Sequence, residues 1–329
     1  MAKTRAIITA VEGYVPEDVI DNTMLSKMVD TTDEWIMTRI GIKTRHILKG
    51  DKGPSDMAKI VVDKILQKKN ISPDEIDLII CCTVTPDMQF PATANIIADK
   101  CGIKNGFGFD INAGCSGFIY GITTGSKYIE SGFCKKVLVI GAEKMTSIVN
   151  YEDRTTCPIF GDGAAAVLLE AGEDSPYGVI DEVLHSDGVG VKHLHQVAGG
   201  SVHPASIETV MNKQHFIYQE GQAVFKWAVT KMADVTEELL AKNNMQKSDI
   251  TFLLPHQANL RIIKATGERL ELKDDQVLVN IEKYGNTTSA TIPMLMYENQ
   301  DKFKKGDNLI LTSFGAGFTW GAVLVKWAI

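Results

Sequence analysis

Cys115 lies in Asn112-Ala113-Gly114-Cys115-Ser116-Gly117-Phe118, a thiol set between two glycines. A strand-like segment, residues 106–111, precedes it. An apolar helical pattern with Phe118, Ile119, Ile122 and Ile129 follows it. Strand, tight turn and helix would put the sulfur at a helix N-terminus, where amide N–H groups and the dipole favour a thiolate. Gly114 and Gly117 permit a sharp backbone and close approach by a substrate. That combination makes a nucleophile. Read alone, the stretch fits equally a small buried cysteine opening a helix.

Three motifs in the second half could answer this thiol. In Leu254-Pro255-His256-Gln257-Ala258-Asn259 a histidine leaves an apolar strand, where loops carry function. In Tyr284-Gly285-Asn286-Thr287-Thr288-Ser289-Ala290 an asparagine follows glycine at a helix entry. By type alone Asn286 reads as an N-cap. In Ser313-Phe314-Gly315-Ala316-Gly317-Phe318 small residues join two strands. They would let a backbone N–H face a cavity as an oxyanion-hole donor, or simply make a tight turn.

The elements that must position these residues alternate. Strands are predicted at 4–13, 77–84, 106–111, 136–141 and 161–170, and helices at 21–29, 55–68 and 91–101. The second half echoes the first: 250–254 matches 77–81, 276–280 matches 106–110, 307–312 matches 136–140, and 317–325 matches 163–169. Asn286 follows its strand as Cys115 follows its own. A duplicated α/β unit accounts for this, with strands covered by helices on both faces. The boundary falls in the Gly/Pro/acid-rich stretch 172–178. The halves are therefore 1–174, carrying the cysteine, and 175–329, carrying histidine and asparagine. Their corresponding loops should meet at the site.

The chain has 329 residues, 44% hydrophobic and 23% charged, as soluble enzymes do, and a formal charge of −7. The charge argues against a nucleic-acid backbone as the main partner. No run approaches the roughly 18 apolar residues of a membrane span, and the apolar run near Met1 is too short for a signal peptide. Six scattered cysteines do not make a disulfide framework, so a reducing cytoplasm is expected. His193, His195 and His203 fall in a Gly-rich loop with no carboxylate close in sequence, so no metal site is expected there.

Ala113-Gly114-Cys115-Ser116-Gly117, Pro255-His256-Gln257-Ala258-Asn259, Tyr284-Gly285-Asn286-Thr287 and Phe314-Gly315-Ala316-Gly317-Phe318-Thr319-Trp320-Gly321 occur in order along the chain. Together they resemble the 3-oxoacyl-[acyl-carrier-protein] synthase III family, the initiating condensing enzymes of type II fatty acid synthesis. The resemblance implies a thiolase-like fold, duplicated α/β halves in a layered αβαβα sandwich. It implies a catalytic triad of Cys115, His256 and Asn286, with backbone N–H groups of Cys115 and Ala316 as the oxyanion hole. Many members carry glycine where Ala316 stands. Asn286 speaks against elongating relatives, which pair Cys with two His, and against thiolases, which use a second Cys. The implied acyltransferase moves an acyl group from acyl-CoA to the cysteine, then condenses it with malonyl-acyl carrier protein, releasing carbon dioxide. No metal or redox cofactor is implied. Ala in place of His256 or Asn286 is expected to spare acylation and abolish condensation.

Binding residues transfer from the same resemblance. Thr31, Trp35, Arg39, Arg154, Gly221, Asn259 and Arg261 match coenzyme A contacts, with Trp35 and Arg154 flanking adenine and Arg39 and Arg261 facing phosphates. Phe90 matches an aromatic at the acyl pocket contributed across a homodimer. Lys226, Arg261 and Arg269 match basic positions for docking acidic acyl carrier protein, while Glu268 stands where some members carry a further base. Three other readings share parts of the pattern: a ketone- or quinolone-forming acyltransferase on the same fold, a thioesterase-like hydrolase, and a non-enzymatic scaffold. The Asn286 and Phe314-Gly315-Ala316-Gly317 motifs disfavour the hydrolase, and the retained cysteine disfavours the scaffold. Primer length is not legible; residues 187–220 are expected to border the acyl pocket.

Overall fold

The computed structural model describes residues 4–329. Its first sheet holds β1 (Thr4–Tyr14), β2 (Leu78–Cys82), β3 (Phe107–Ile111), β4 (Lys136–Lys144) and β5 (Asp162–Glu173). The order is β1-β5-β4-β2-β3. β2 runs parallel to β3 and β4, whereas β5 is antiparallel to β4 and β1. β2 reads Leu-Ile-Ile-Cys-Cys and is buried throughout, the continuous apolar run that a strand covered on both faces requires.

The second sheet holds β6 (Gly178–Ser186), β7 (Phe252–Pro255), β8 (Asn308–Gly315) and β9 (Thr319–Lys326), in the order β7-β8-β9-β6. β7 and β8 are parallel, and β9 is antiparallel to β8 and β6. The directions of the first sheet are thus repeated. The expected strand at 276–280 is reduced to a single bridge, Leu253 to Val277. The buried Gln257 side chain accepts from the N–H groups of Asn280 (3.0 Å) and Ile281 (3.1 Å), replacing the ladder with a side-chain clamp.

Helices fill three layers. α1 (Pro54–Lys69) and α2 (Thr93–Cys101) cover the outer face of the first sheet. α1 starts with Pro54 in its first turn and ends at Asn70 in the left-handed region (φ 52°), each suited to its place. It buries Met57, Ala58, Val61, Val62, Ile65 and Leu66 at helical spacing. α3 (Gly117–Glu130) and α6 (Thr291–Asn299) lie between the sheets, where Phe118, Ile119, Ile122, Ile292 and Leu295 join one core with Leu254, Leu309 and Val323. α4 (Gly221–Lys242) and α5 (Leu260–Arg269) cover the outer face of the second sheet. The layers read αβαβα. The predicted helix over 21–29 is a single turn, Asn22–Leu25, because Ser26, Lys27 and Met28 are exposed and offer no further apolar face.

Candidate active site

Cys115 sits between β3 and α3, two residues before the helix begins. His256 directly follows β7, its N–H donating to Thr312 O at 2.8 Å. Asn286 lies in an extended segment paired with Phe160: its N–H donates to Ile159 O (2.9 Å) and its carbonyl accepts from Gly161 N–H (3.1 Å). The β8–β9 turn carrying Ala316 locks onto the cysteine loop. Thr319 Oγ1 donates to Ala113 O (2.8 Å), Ser313 Oγ to Cys115 O (2.9 Å) and Ser116 Oγ to Thr319 O (3.1 Å). A Cβ on Gly114 would stand 2.7 Å from Ala316 N, and one on Gly315 would stand 2.5 Å from Cys115 N. Only glycines let these two backbone amides approach so closely.

Cys115, His256, Asn286 and Ala316 line one cavity of about 850 Å³. The imidazole follows β7 of the second sheet, whereas the thiol follows β3 of the first. His256 is buried, which pushes it from its ordinary value of 6.5 down to about 3, so the ring is neutral at rest. Its Nδ1 meets Thr291 Oγ1 at 2.7 Å, while its buried Nε2 has no partner among the described residues. Asn286 Oδ1 accepts from Thr288 N–H at 2.8 Å, ahead of α6. Asn286 is not the N-cap that its residue type suggested, since Thr287 and Ala290 hold the cap positions of the following turn and of α6; its side chain favours the ionised form of the Cys115 thiol instead.

The expected thiolate is opposed by the surroundings. Burial pushes the Cys115 thiol up to about 12, against the lowering effect of the Asn286 side chain. Desolvation in this cavity outweighs the polar environment that the motif promised.

The predicted coenzyme A residues divide. Trp35, Arg39, Gly221, Asn259 and Arg261 line the same cavity. Asn259 caps α5 through Oδ1 to Arg261 N–H (2.9 Å) and donates Nδ2 to Arg39 O (3.1 Å), placing both arginines on one rim. Arg261 lies over the Phe225 ring, 5.0 Å from its centroid. Arg154 stands outside the lining, its guanidinium 5.2 Å from the Trp35 centroid and bonded to Asp30 at 3.1 Å. Thr31 Oγ1 is buried without a partner among the described residues. Phe90 is 85% exposed and lines no part of the cavity. Lys226 is exposed, whereas Arg269 is committed to Asp234 and Glu237 on α4.

The loop over 187–220 does border the cavity, through Leu194, His195, Gln196, Ile217 and Gln219. It is not free of carboxylates in space, because His193 Nδ1 meets Glu220 Oε2 at 2.5 Å. Sequence reasoning missed Thr291, Ser289 and Glu143. The last had a faint signal, an acid closing an otherwise apolar strand.

A profile of 3-oxoacyl-[acyl-carrier-protein] synthase III matches residues 109–188, and a profile of the same family's C-terminal region matches residues 240–327. Beta-ketoacyl-[acyl-carrier-protein] synthase III 2 of Bacteroides thetaiotaomicron is 54% identical over 99% of this chain and 98% of its own. The Chlorobaculum tepidum beta-ketoacyl-[acyl-carrier-protein] synthase III is 53% identical over 98% and 99%. Among solved structures, 3-oxoacyl-[acyl-carrier-protein] synthase III from Aquifex aeolicus superposes with a TM-score of 0.89 at 39% identity, covering 98% of this chain and 100% of that one. The Pseudomonas aeruginosa enzyme superposes with a TM-score of 0.90 at 34% identity, covering 99% of each. Profile, full-length relatives and thiolase-fold architecture agree: this chain belongs to the 3-oxoacyl-[acyl-carrier-protein] synthase III family.

Proposed function

We propose that the cavity carries out priming and condensation in turn, with Cys115, His256 and Asn286 as its catalytic side chains. The enzyme is an acyltransferase, the initiating condensing enzyme of fatty acid synthesis. The observation that carries the site assignment is the meeting of thiol, imidazole and carboxamide from two halves at one cavity.

Cys115 sulfur attacks the acyl-CoA thioester carbonyl; the thiol proton leaves with coenzyme A. Backbone N–H groups of Cys115 and Ala316 hold the oxyanion of the tetrahedral intermediate. Malonyl-acyl carrier protein then loses its carboxylate as carbon dioxide, and the freed electron pair becomes an enolate. Asn286 Nδ2–H and the Nε2–H form of neutral His256 hydrogen-bond the enolate oxygen. Thr291 supports that form by donating its hydroxyl to Nδ1. The enolate carbon bonds to the acyl carbon, and the Cys115 thiolate departs and is reprotonated by solvent. The reaction calls for no metal or redox cofactor, since decarboxylation supplies the driving force.

Coenzyme A is read along the rim from Trp35 and Arg154 through Arg39 and Arg261 to Thr31, Gly221 and Asn259. The carrier protein docks through Lys226 and Arg261, and Arg269 stands behind them. A homodimer is supported by the open edge of β3 with exposed Phe107 and Phe133, and by exposed Phe90, which would reach a partner's acyl pocket. The halves 1–174 and 175–329 are read as the duplicated units. A reducing cytoplasm is the compartment that suits a working free thiol; among the described residues no helix is long and apolar enough to cross a membrane.

The test is acyl transfer and malonyl-carrier-dependent carbon dioxide release, assayed separately. H256A and N286A should keep acylation of Cys115, read by mass spectrometry, and lose carbon dioxide release by on the order of a hundredfold. Loss of acylation in both variants would overturn these roles.

A further inference from the structure

Glu143, the penultimate residue of β4, is fully buried on the Cys115 side of the first sheet. Its Oε2 accepts from Thr85 Oγ1 (2.7 Å), Thr83 Oγ1 (3.1 Å), Val84 N–H (3.1 Å) and Thr85 N–H (3.2 Å). Its Oε1 faces Ser289 Oγ at 2.8 Å, with Val84 N at 3.2 Å. Among the described residues no lysine, arginine or histidine donates to it. The titratable groups coupled to it are Cys82 and Cys81 on β2 and Cys115; none is a cation. The one neighbouring cation in sequence, Lys144, turns its amine away to Gly50 O and Lys52 O.

Ser289 settles where a proton must be. Its Oγ lies 2.5 Å from Cys82 O, which can only accept. The single hydroxyl proton of Ser289 must occupy that contact, because two oxygens cannot approach so closely without one. Ser289 Oγ then has only lone pairs left for Glu143 Oε1. That 2.8 Å contact is a hydrogen bond only if the carboxyl donates. We infer that Glu143 is a protonated carboxylic acid in the resting enzyme, donating through Ser289 to Cys82 O, and acts as a positioning residue that leaves the nucleophile free of an opposing charge.

Burial favours the same state, raising the Glu143 carboxyl above its ordinary range. An ionised, cation-free carboxylate at this depth would cost far more than a hydrogen-bonded acid. The arrangement also joins the halves. Val84 lines the cavity from the loop that Oε2 holds, and Ser289 sits three residues after Asn286. The acid therefore fixes one wall of the cavity relative to the carboxamide. Once neutral, it no longer opposes the thiolate formed during acylation or the enolate formed afterwards. This inference rests on Cys115 being the nucleophile, but its first readout, the protonation state, does not.

The tests use the full-length enzyme. The infrared difference spectrum of wild type minus E143Q at neutral pH should show the carbonyl band of a protonated carboxyl; a carboxylate pair of bands in its place would overturn the inference. The pH profile of Cys115 alkylation by iodoacetamide, read by peptide mass spectrometry, should keep its midpoint in E143Q. A downward shift of about one unit or more would show that a negative charge had been removed, and the inference would fail. E143D keeps the acid but shortens its reach, so carbon dioxide release should fall about tenfold, with E143Q restoring most of it. Equal loss in both variants would show that a donor at this place does not substitute for the acid, and the positioning role would fail. If E143Q does not fold, S289A supplies the second reading. There the wild-type-minus-variant spectrum should show the same carbonyl band shifted as its acceptor is lost, and an unmoved spectrum would count against the Ser289 link.

Discussion

Thr291 Oγ1 stands 2.7 Å from His256 Nδ1 and 2.9 Å from Thr288 O, one hydroxyl between a ring nitrogen and a carbonyl. When the hydroxyl donates to Thr288 O it can accept from Nδ1–H, leaving a lone pair on Nε2. When it donates to Nδ1, Nε2 carries the hydrogen that an enolate needs. T291V removes both options and leaves a buried ring nitrogen unpaired, so condensation should slow by about tenfold or more. T291S should recover most of the rate. Equal rates for T291V and wild type in carbon dioxide release would remove Thr291 from the mechanism.

The Cys115 thiol, held up to about 12, should react faster with iodoacetamide as pH rises through the neutral and alkaline range, since only the thiolate attacks. Asn286 stabilises the ionised sulfur, so N286A should raise the thiol further and slow alkylation at fixed pH by several-fold. An acid-shifted alkylation profile in N286A would contradict the hydrogen bond to sulfur.

His256 contributes to acid sensitivity with a definite sign. As pH falls below about 6.5 the unfolded chain takes up a proton there, whereas the folded chain resists until about 3. Stability from this group is therefore present above 6.5 and is lost progressively down to about 3. H256N should flatten the slope of denaturant midpoint against pH in that window. An unchanged slope would show that the buried neutral ring is not its source.

Arg154 rests on Trp35 with its guanidinium 5.2 Å from the ring centroid, while a flat base stacked between them needs about 7 Å. A base stacked there would have to open this pair, and Asp30 competes for the same guanidinium. R154A should raise the KM for acyl-CoA by about five-fold, a cation–π-sized loss, and leave kcat alone. D30N, which frees the guanidinium, should lower that KM. A KM that falls in R154A or rises in D30N would place the base elsewhere.

Carrier docking should depend unevenly on its basic residues. Arg269 already faces Asp234 and Glu237, so R269A should alter the KM for malonyl-acyl carrier protein less than twofold. K226A and R261A remove exposed positive charge near the cavity and should raise it several-fold, less so at high salt. A dominant R269A effect would mean that those pairs open on docking.

Much of the site could be read from the chain because its residues announce themselves locally. Cys115 and His256 follow strand ends beside glycine or proline, Asn286 follows Gly285, and the Phe314-Gly315-Ala316-Gly317 turn is a spacing pattern. The β2 and β8 cores were legible as apolar runs. What escaped depends on partners remote in sequence. Gln257 replaces the strand expected at 276–280 by taking two backbone N–H groups that a ladder would use. Arg269 loses its freedom to acids on α4, 35 and 32 residues away in sequence. The thiol's acidity differs from the expectation because helix entry is visible in sequence whereas desolvation in the folded cavity is not.

Cys115 and its imidazole neighbour both wait uncharged, the sulfur capped by its hydrogen and the ring empty of a second one. A sulfur held in that form is a sluggish target for peroxide and stray electrophiles, which select ionised thiols. The enzyme can thus idle in a cell rich in reactive small molecules and remain serviceable until a thioester arrives to draw the proton away.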